Sequence, residues 1–157
     1  MTDPKTRPNL DRTVHEHAEL RVRVKKLRGL LAEAVRKQGG PEKLKWAATA
    51  SEQLEALHEM LVIHFREEEK AGLPDVLYES SPHIADSVAT LRREHEGILT
   101  ALCVVIDEIR RLARGVEGAD AHVRHSVAGI IRRISRHEEM ETGLIQRMYL
   151  EDLGGGH

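Results

Sequence analysis

Apolar residues recur along most of the chain at alternating intervals of three and four. His17, Leu20, Val24, Leu27, Leu31 and Ala34 follow that rule, and so do Leu54, Leu57, Leu61, His64 and Glu68. A third run holds Val88, Leu91, His95, Ile98, Leu102, Val105, Ile109 and Leu112. The fourth holds Val123, Val127, Ile130, Ile134, His137, Glu141, Leu144 and Met148. Each helical residue turns by roughly 100°, so this spacing lines up side chains on one face of an α-helix. Four such seams predict four amphipathic helices, with no strand-like alternation to compete.

Glycine, proline and capping residues punctuate the runs. Helix A is expected from about Asp11 to Lys37, stopped by Gly39-Gly40. Pro41 suits the first turn of helix B, where its missing N–H has no helical partner to lose. Helix B is expected to reach about Ala71, ending at Gly72 with Pro74 beyond. Residues 72–82 form the longest connection, with one short turn around Asp75–Tyr78. Ser81 as N-cap and Pro82 at the first helical position open helix C. That helix is expected to end near Arg114, before Gly115 and Gly118, and helix D to run from about Asp120 to Glu151. Short A/B and C/D connections make those pairs antiparallel neighbours. The predicted fold is all-α, an antiparallel up-down-up-down four-helix bundle over residues 11–153. Residues 1–10 and 154–157 are expected as tails.

Composition narrows the setting. The 157 residues carry 24 basic and 26 acidic side chains, a net charge of −2. The charges interleave along the helices as a solvated face, which offers no electrostatic attraction to nucleic acid or to an anionic membrane. No apolar run reaches the roughly 18 residues that a membrane span needs. The N-terminus is polar, without an apolar signal region. Cys103 is the single cysteine, so no internal disulfide can form, and a reducing cytoplasm is the expected location.

Histidine changes the picture most. Ten are present, and four of them occupy seams. Every seam position is apolar except His17, His64, Glu68, His95, His137 and Glu141. About 22 residues separate His17 from the A/B turn and about 24 separate that turn from His64; the corresponding C/D distances are each about 21. At roughly 1.5 Å per residue the mismatch is only a few ångströms, so all six side chains should meet in one layer. Two unpaired buried carboxylates repel and are costly to desolvate. Cations between them remove the conflict, with neutral imidazoles supplying nitrogen and carboxylates bridging. The i, i+4 spacing stacks His64 over Glu68 and His137 over Glu141. A nitrogen and oxygen donor set without thiolate suits iron or manganese, and zinc also accepts it.

At these residues the sequence resembles the hemerythrin family and its bacterial HHE cation-binding relatives. The stretches are His17-Ala-Glu-Leu20, His64-Phe-Arg-Glu-Glu68-Glu, Glu94-His95-Glu-Gly-Ile98 and His137-Glu-Glu-Met-Glu141. Leu144-Ile-Gln and Tyr149-Leu-Glu-Asp152 also look like small bacterial members. The resemblance implies two iron ions, one on His17 and His64 and the other on His95 and His137. Glu68 and Glu141 would bridge them alongside an oxo or hydroxo group. Oxygen carriers have a second histidine one turn past the first on helix C, where this chain has Leu99. They also have an aspartate five residues after the helix D histidine, against Glu141 four residues on. The lost imidazole implies an open coordination position for dioxygen, peroxide or nitric oxide, with at most weak peroxide decomposition. An iron- or oxygen-sensing module without turnover is the alternative, and a metal-free interaction bundle is the least favoured reading.

Other residues carry blander expectations. His15 points away from the seam and is the alternative helix A donor. His58, His122 and His125 are expected at the surface. Glu67, Glu69, Glu138 and Glu139 are expected on a solvated face, with support of a ligand as the other option. Cys103 is expected to be an inert buried thiol, and Tyr149 to lie off the seam. Gly97 and Gly143, in mid-helix beside ligands, are expected to serve packing.

Overall fold

The computed structural model describes residues 10–36, 40–70, 85–116 and 120–154. Four helices fill these segments: α1 Leu10–Arg36, α2 Gly40–Lys70, α3 Ala85–Ala113 and α4 Asp120–Gly154. The expected turn at Asp75–Tyr78, the Ser81-Pro82 opening, Gly39 and Gly118 lie outside the described residues. Helix α4 continues past the expected Glu151 to Gly154, because Asp152 and Leu153 place no breaker in its way.

The end of α3 shows how local chemistry sets a boundary. Gly115 takes φ = +82°, a left-handed conformation that only glycine adopts without steric cost. Its N–H donates to Leu112 O at 3.0 Å, and the Val116 N–H donates to Arg111 O at 3.1 Å. This is a Schellman arrangement, which satisfies carbonyls that the helix end leaves open.

Cross-helix contacts fix the direction of each helix. On α1 and α2, Leu30 pairs with Trp46 near their turn, and Glu16 pairs with His64 far from it. On α2 and α3, Glu55 meets Arg110 while Glu69 meets His95. On α3 and α4, Glu108 meets His122 while Glu94 meets Arg133. On α1 and α4, His17 meets Glu141 while Arg28 meets Ser135. Every neighbouring pair is therefore antiparallel, and the four helices close into a ring.

The seams face inward. Leu54, Leu57, Leu61, Ile98, Leu102, Ile109, Val123 and Ile134 are among the most deeply buried side chains. Leu31 is only half-buried and packs against the edge of the core. The buried stripe is wider than the seams alone, because Trp46, Phe65, Ile106, Ile131 and Ile145 are buried beside them. Trp46 can sit there because its indole N–H donates to Leu30 O at 2.6 Å. Burying each large aliphatic side chain contributes about 1.5–3 kcal/mol. That apolar column occupies the half of the bundle near the α1/α2 and α3/α4 turns. The polar seam residues lie toward the opposite end.

Two substitutions separate core packing from helix propensity. Leu57→Ala, at a site with no exposure, should lower stability by about 2–5 kcal/mol. Gly29→Ala, whose new Cβ meets nothing within 4 Å, should raise it by up to about 1 kcal/mol. Urea midpoints of the two variants check both signs.

Candidate metal centre

All six polar seam residues come together in one layer, each between 2% and 6% exposed. Helix α1 contributes His17, α2 His64 and Glu68, α3 His95, and α4 His137 and Glu141. Each carboxylate reaches toward different imidazoles with its two oxygens. Glu68 Oε1 lies 2.6 Å from His64 Nε2 and 3.6 Å from His17 Nε2, while its Oε2 lies 3.4 Å from His95 Nε2. Glu141 Oε1 lies 3.0 Å from His17 Nε2, and its Oε2 lies 3.3 Å from His137 Nε2. All four histidines thus turn Nε2 toward the carboxylates.

The other ring nitrogens meet outer partners on three of the four histidines. His64 Nδ1 lies 2.7 Å from Glu16 Oε2, His95 Nδ1 3.3 Å from Glu69 Oε1, and His17 Nδ1 3.4 Å from Thr142 Oγ1. His137 Nδ1 is buried with no hydrogen-bond partner among the described residues. Phe65 closes the layer on that side. Its ring stacks on His95 at a centroid distance of 4.1 Å and meets His137 edge-on at 5.4 Å.

The protonation pattern follows from crowding. Burial works against a charge on His17, but contacts with Glu141 and Glu68 outweigh it and raise its pKa to about 9. His64 is raised too: burial opposes the charge, and Glu68 and then Glu16 overcome it. His95 is lowered, by burial and by the charge of His137. Burial and the neighbouring Glu141 raise Glu68. For Glu141 burial pushes upward, but Glu68, His137 and His17 hold its carboxyl well below the ordinary range. Crowding therefore favours a proton on Glu68 over Glu141, and positive charge on His17 and His64 beside them.

Protons do not satisfy the layer fully. Glu68 Oε1, Glu141 Oε1 and the Nε2 atoms of His95 and His137 are buried yet make no well-aligned hydrogen bond. The 2.6 Å contact of Glu68 Oε1 with His64 is short but off the direction that a hydrogen bond requires. Lone pairs converging without hydrogen-bond geometry are what metal ligation needs. Two sets of donor atoms each fall within 4.8 Å of one another: His17, His64, Glu68 and Glu141, and His95, His137 and Glu141.

The family profile of the hemerythrin HHE cation-binding domain matches residues 4–149, nearly the whole chain. The chain belongs to the hemerythrin HHE cation-binding family. No curated protein and no solved structure matches it. Membership in the hemerythrin family implies metal-ion binding, and the buried His/Glu groups are able to hold a metal.

The residues expected outside this hemerythrin-type layer fall as follows. The side chain of His15 is 76% exposed and pairs with Glu19, so His17 alone enters the layer from α1. His122 is exposed beside Glu108, and His125 is exposed. His58 is half-buried, 3.4 Å from Cys103 Sγ. Cys103 itself is exposed, which corrects the expectation of a buried thiol: it flanks the α3 seam rather than lying in it. Glu138 is also corrected, since it is buried and accepts from Arg21 Nε at 2.8 Å. Glu139 is exposed and Glu67 half-buried. The Arg133 guanidinium fills the space where a side chain at Gly97 would start, whereas nothing lies near Gly143. His83, His157 and the side chain of Tyr149 lie outside the described residues.

Several contributors escaped the seam rule. Phe65 stands four residues after Leu61, a spacing that placed it on the inner face. Glu16 and Thr142 each adjoin a polar seam residue, but only the antiparallel pairing brings them to an imidazole on another helix.

A pH dependence follows for the metal-free chain. The pKa of His17 is raised on folding from 6.5 to about 9. Its contribution is complete below pH 6.5 and is lost as pH rises through about 9, an effect of order 3 kcal/mol. His64, shifted the same way, adds to it. Denaturation midpoints of chelator-treated protein should fall between pH 6.5 and 9.5, and a flat profile contradicts the assignment.

Proposed function

We propose that His17, His64, His95, His137, Glu68 and Glu141 hold two iron ions, and that this centre binds or reacts with dioxygen, peroxide or nitric oxide. The observation that carries the reading is the two-sided placement of Glu68 and Glu141. Each carboxylate offers one oxygen to His17, or to His64 and His17, and the other to His95 or His137. That arrangement suits two cations side by side, with one imidazole pair for each. The nitrogen and oxygen donors favour iron or manganese and accept zinc. A ferrous pair supplies electrons to dioxygen or peroxide and binds nitric oxide.

The chain's own residues define the surroundings of that chemistry. Glu16 and Glu69 accept from the Nδ1–H of His64 and His95, which turns each Nε2 lone pair inward. Phe65 and the apolar seam keep bulk water out. Leu99, one turn past His95, is half-buried against the core and offers no lone pair, so coordination remains open for an outside ligand. Glu16 and Glu69, the carboxylates in contact with these imidazoles, serve to orient them, and specific fast turnover is not part of the proposal. Among the described residues no helix is long and apolar enough to cross a membrane. A cytoplasmic setting, where Cys103 stays reduced, and one module over residues 11–153 with short tails complete the reading.

Metal content per chain tests the ligand set. His64→Ala and His137→Ala should each lower bound iron at least by half, whereas His58→Ala and His122→Ala should leave it unchanged. Iron-loaded protein should change its visible spectrum on addition of peroxide, dioxygen or nitric oxide. Iron retained with no spectral response to any of the three would end the reactivity claim.

A further inference from the structure

The two halves of the layer are built differently. His17, His64, Glu68 and Glu141 form a group of four donors, while His95, His137 and Glu141 form a group of three. Glu68 reaches His95 with its second oxygen, at 3.4 Å, but does not join that group. The outer partners repeat the imbalance. His64 is held by Glu16 at 2.7 Å, from a carboxylate whose side chain is only 23% exposed. His17 has Thr142 at 3.4 Å. In the other half His95 has only Glu69, at 3.3 Å and 59% exposed, where water competes for the hydrogen bond. His137 Nδ1 has no partner among the described residues. Phe65 fixes the planes of His95 and His137 but supplies neither charge nor hydrogen bond. Leu99 adds no donor on that side.

We propose that the halves bind cations unequally: the His17/His64 half takes the first ion tightly, and the His95/His137 half holds the second weakly and exchanges it. The proposal rests on the reading that these six residues hold two ions. Its physical cause is preorganisation. An imidazole whose far nitrogen is fixed by a carboxylate has its ring plane and tautomer set before a metal arrives, and losing such a partner typically costs about 10–100-fold in affinity.

Anaerobic calorimetric titration of the metal-free full chain with ferrous ion tests the order. Two binding events should appear, separated by about tenfold or more in Kd. Glu16→Gln should weaken the tight event about tenfold and leave the weak one within twofold. His137→Ala should abolish the weak event and spare the tight one. Circular dichroism of each metal-free variant checks that it folds; if His137→Ala does not, the event that Glu16→Gln weakens decides. Two events of equal affinity, or a tight event that survives Glu16→Gln unchanged, overturn the inequality while the two-ion reading stands. Absence of any binding event overturns both.

Discussion

Two carboxyl groups face one another in the dry centre of this bundle, and positive charge has to accompany them. Glu68 and Glu141 are buried to 4% and 2% exposure with four imidazoles around them. Left ionised and alone, such a pair would cost several kcal/mol in desolvation and repulsion. Without metal the layer responds by holding protons: Glu68 is pushed up, Glu141 is held down, and His17 rises to about 9. Lone pairs of Glu68, Glu141, His95 and His137 stay without aligned hydrogen bonds, and cations between them would satisfy them. Metal uptake in such a layer displaces protons, so affinity and pH are linked.

The rest of the fold serves to bring that layer to one height. Antiparallel helices of similar length set His17 opposite Glu141 and Glu16 opposite His64, and the same register places Glu69 beside His95. Toward the turns of α1/α2 and α3/α4 the described interior is apolar apart from Ser51, from Leu27 and Leu54 to Ile109 and Val123. That column supplies the hydrophobic stabilisation that offsets the polar layer at the other end. Segregating the two lets one bundle keep a stable apolar core beside its buried polar layer.

The sequence carried the seams and the six polar residues because both follow the period of a single helix. A ligand must face inward, so its phase along its own helix betrays it. The fold was legible for the same reason, with the glycine at 115 marking the end of α3. What lay beyond reach depends on relations between helices. Glu16 and Thr142 occupy edge positions whose partners are set by the rotation of a neighbouring helix. The same rotation exposes Cys103 and buries Glu138 against Arg21. Periodicity fixes which way a residue points from its own axis, but not what stands there.

Cations between Glu68 and Glu141, with imidazoles on both flanks, are what the proposed function requires. Anomalous diffraction from crystals of the iron-loaded chain measures this directly. Two iron peaks inside the layer, one near His17 and His64 and the other near His95 and His137, are the predicted result. Iron found only at surface histidines, or a layer that keeps its geometry in loaded crystals with no metal in it, would contradict the account.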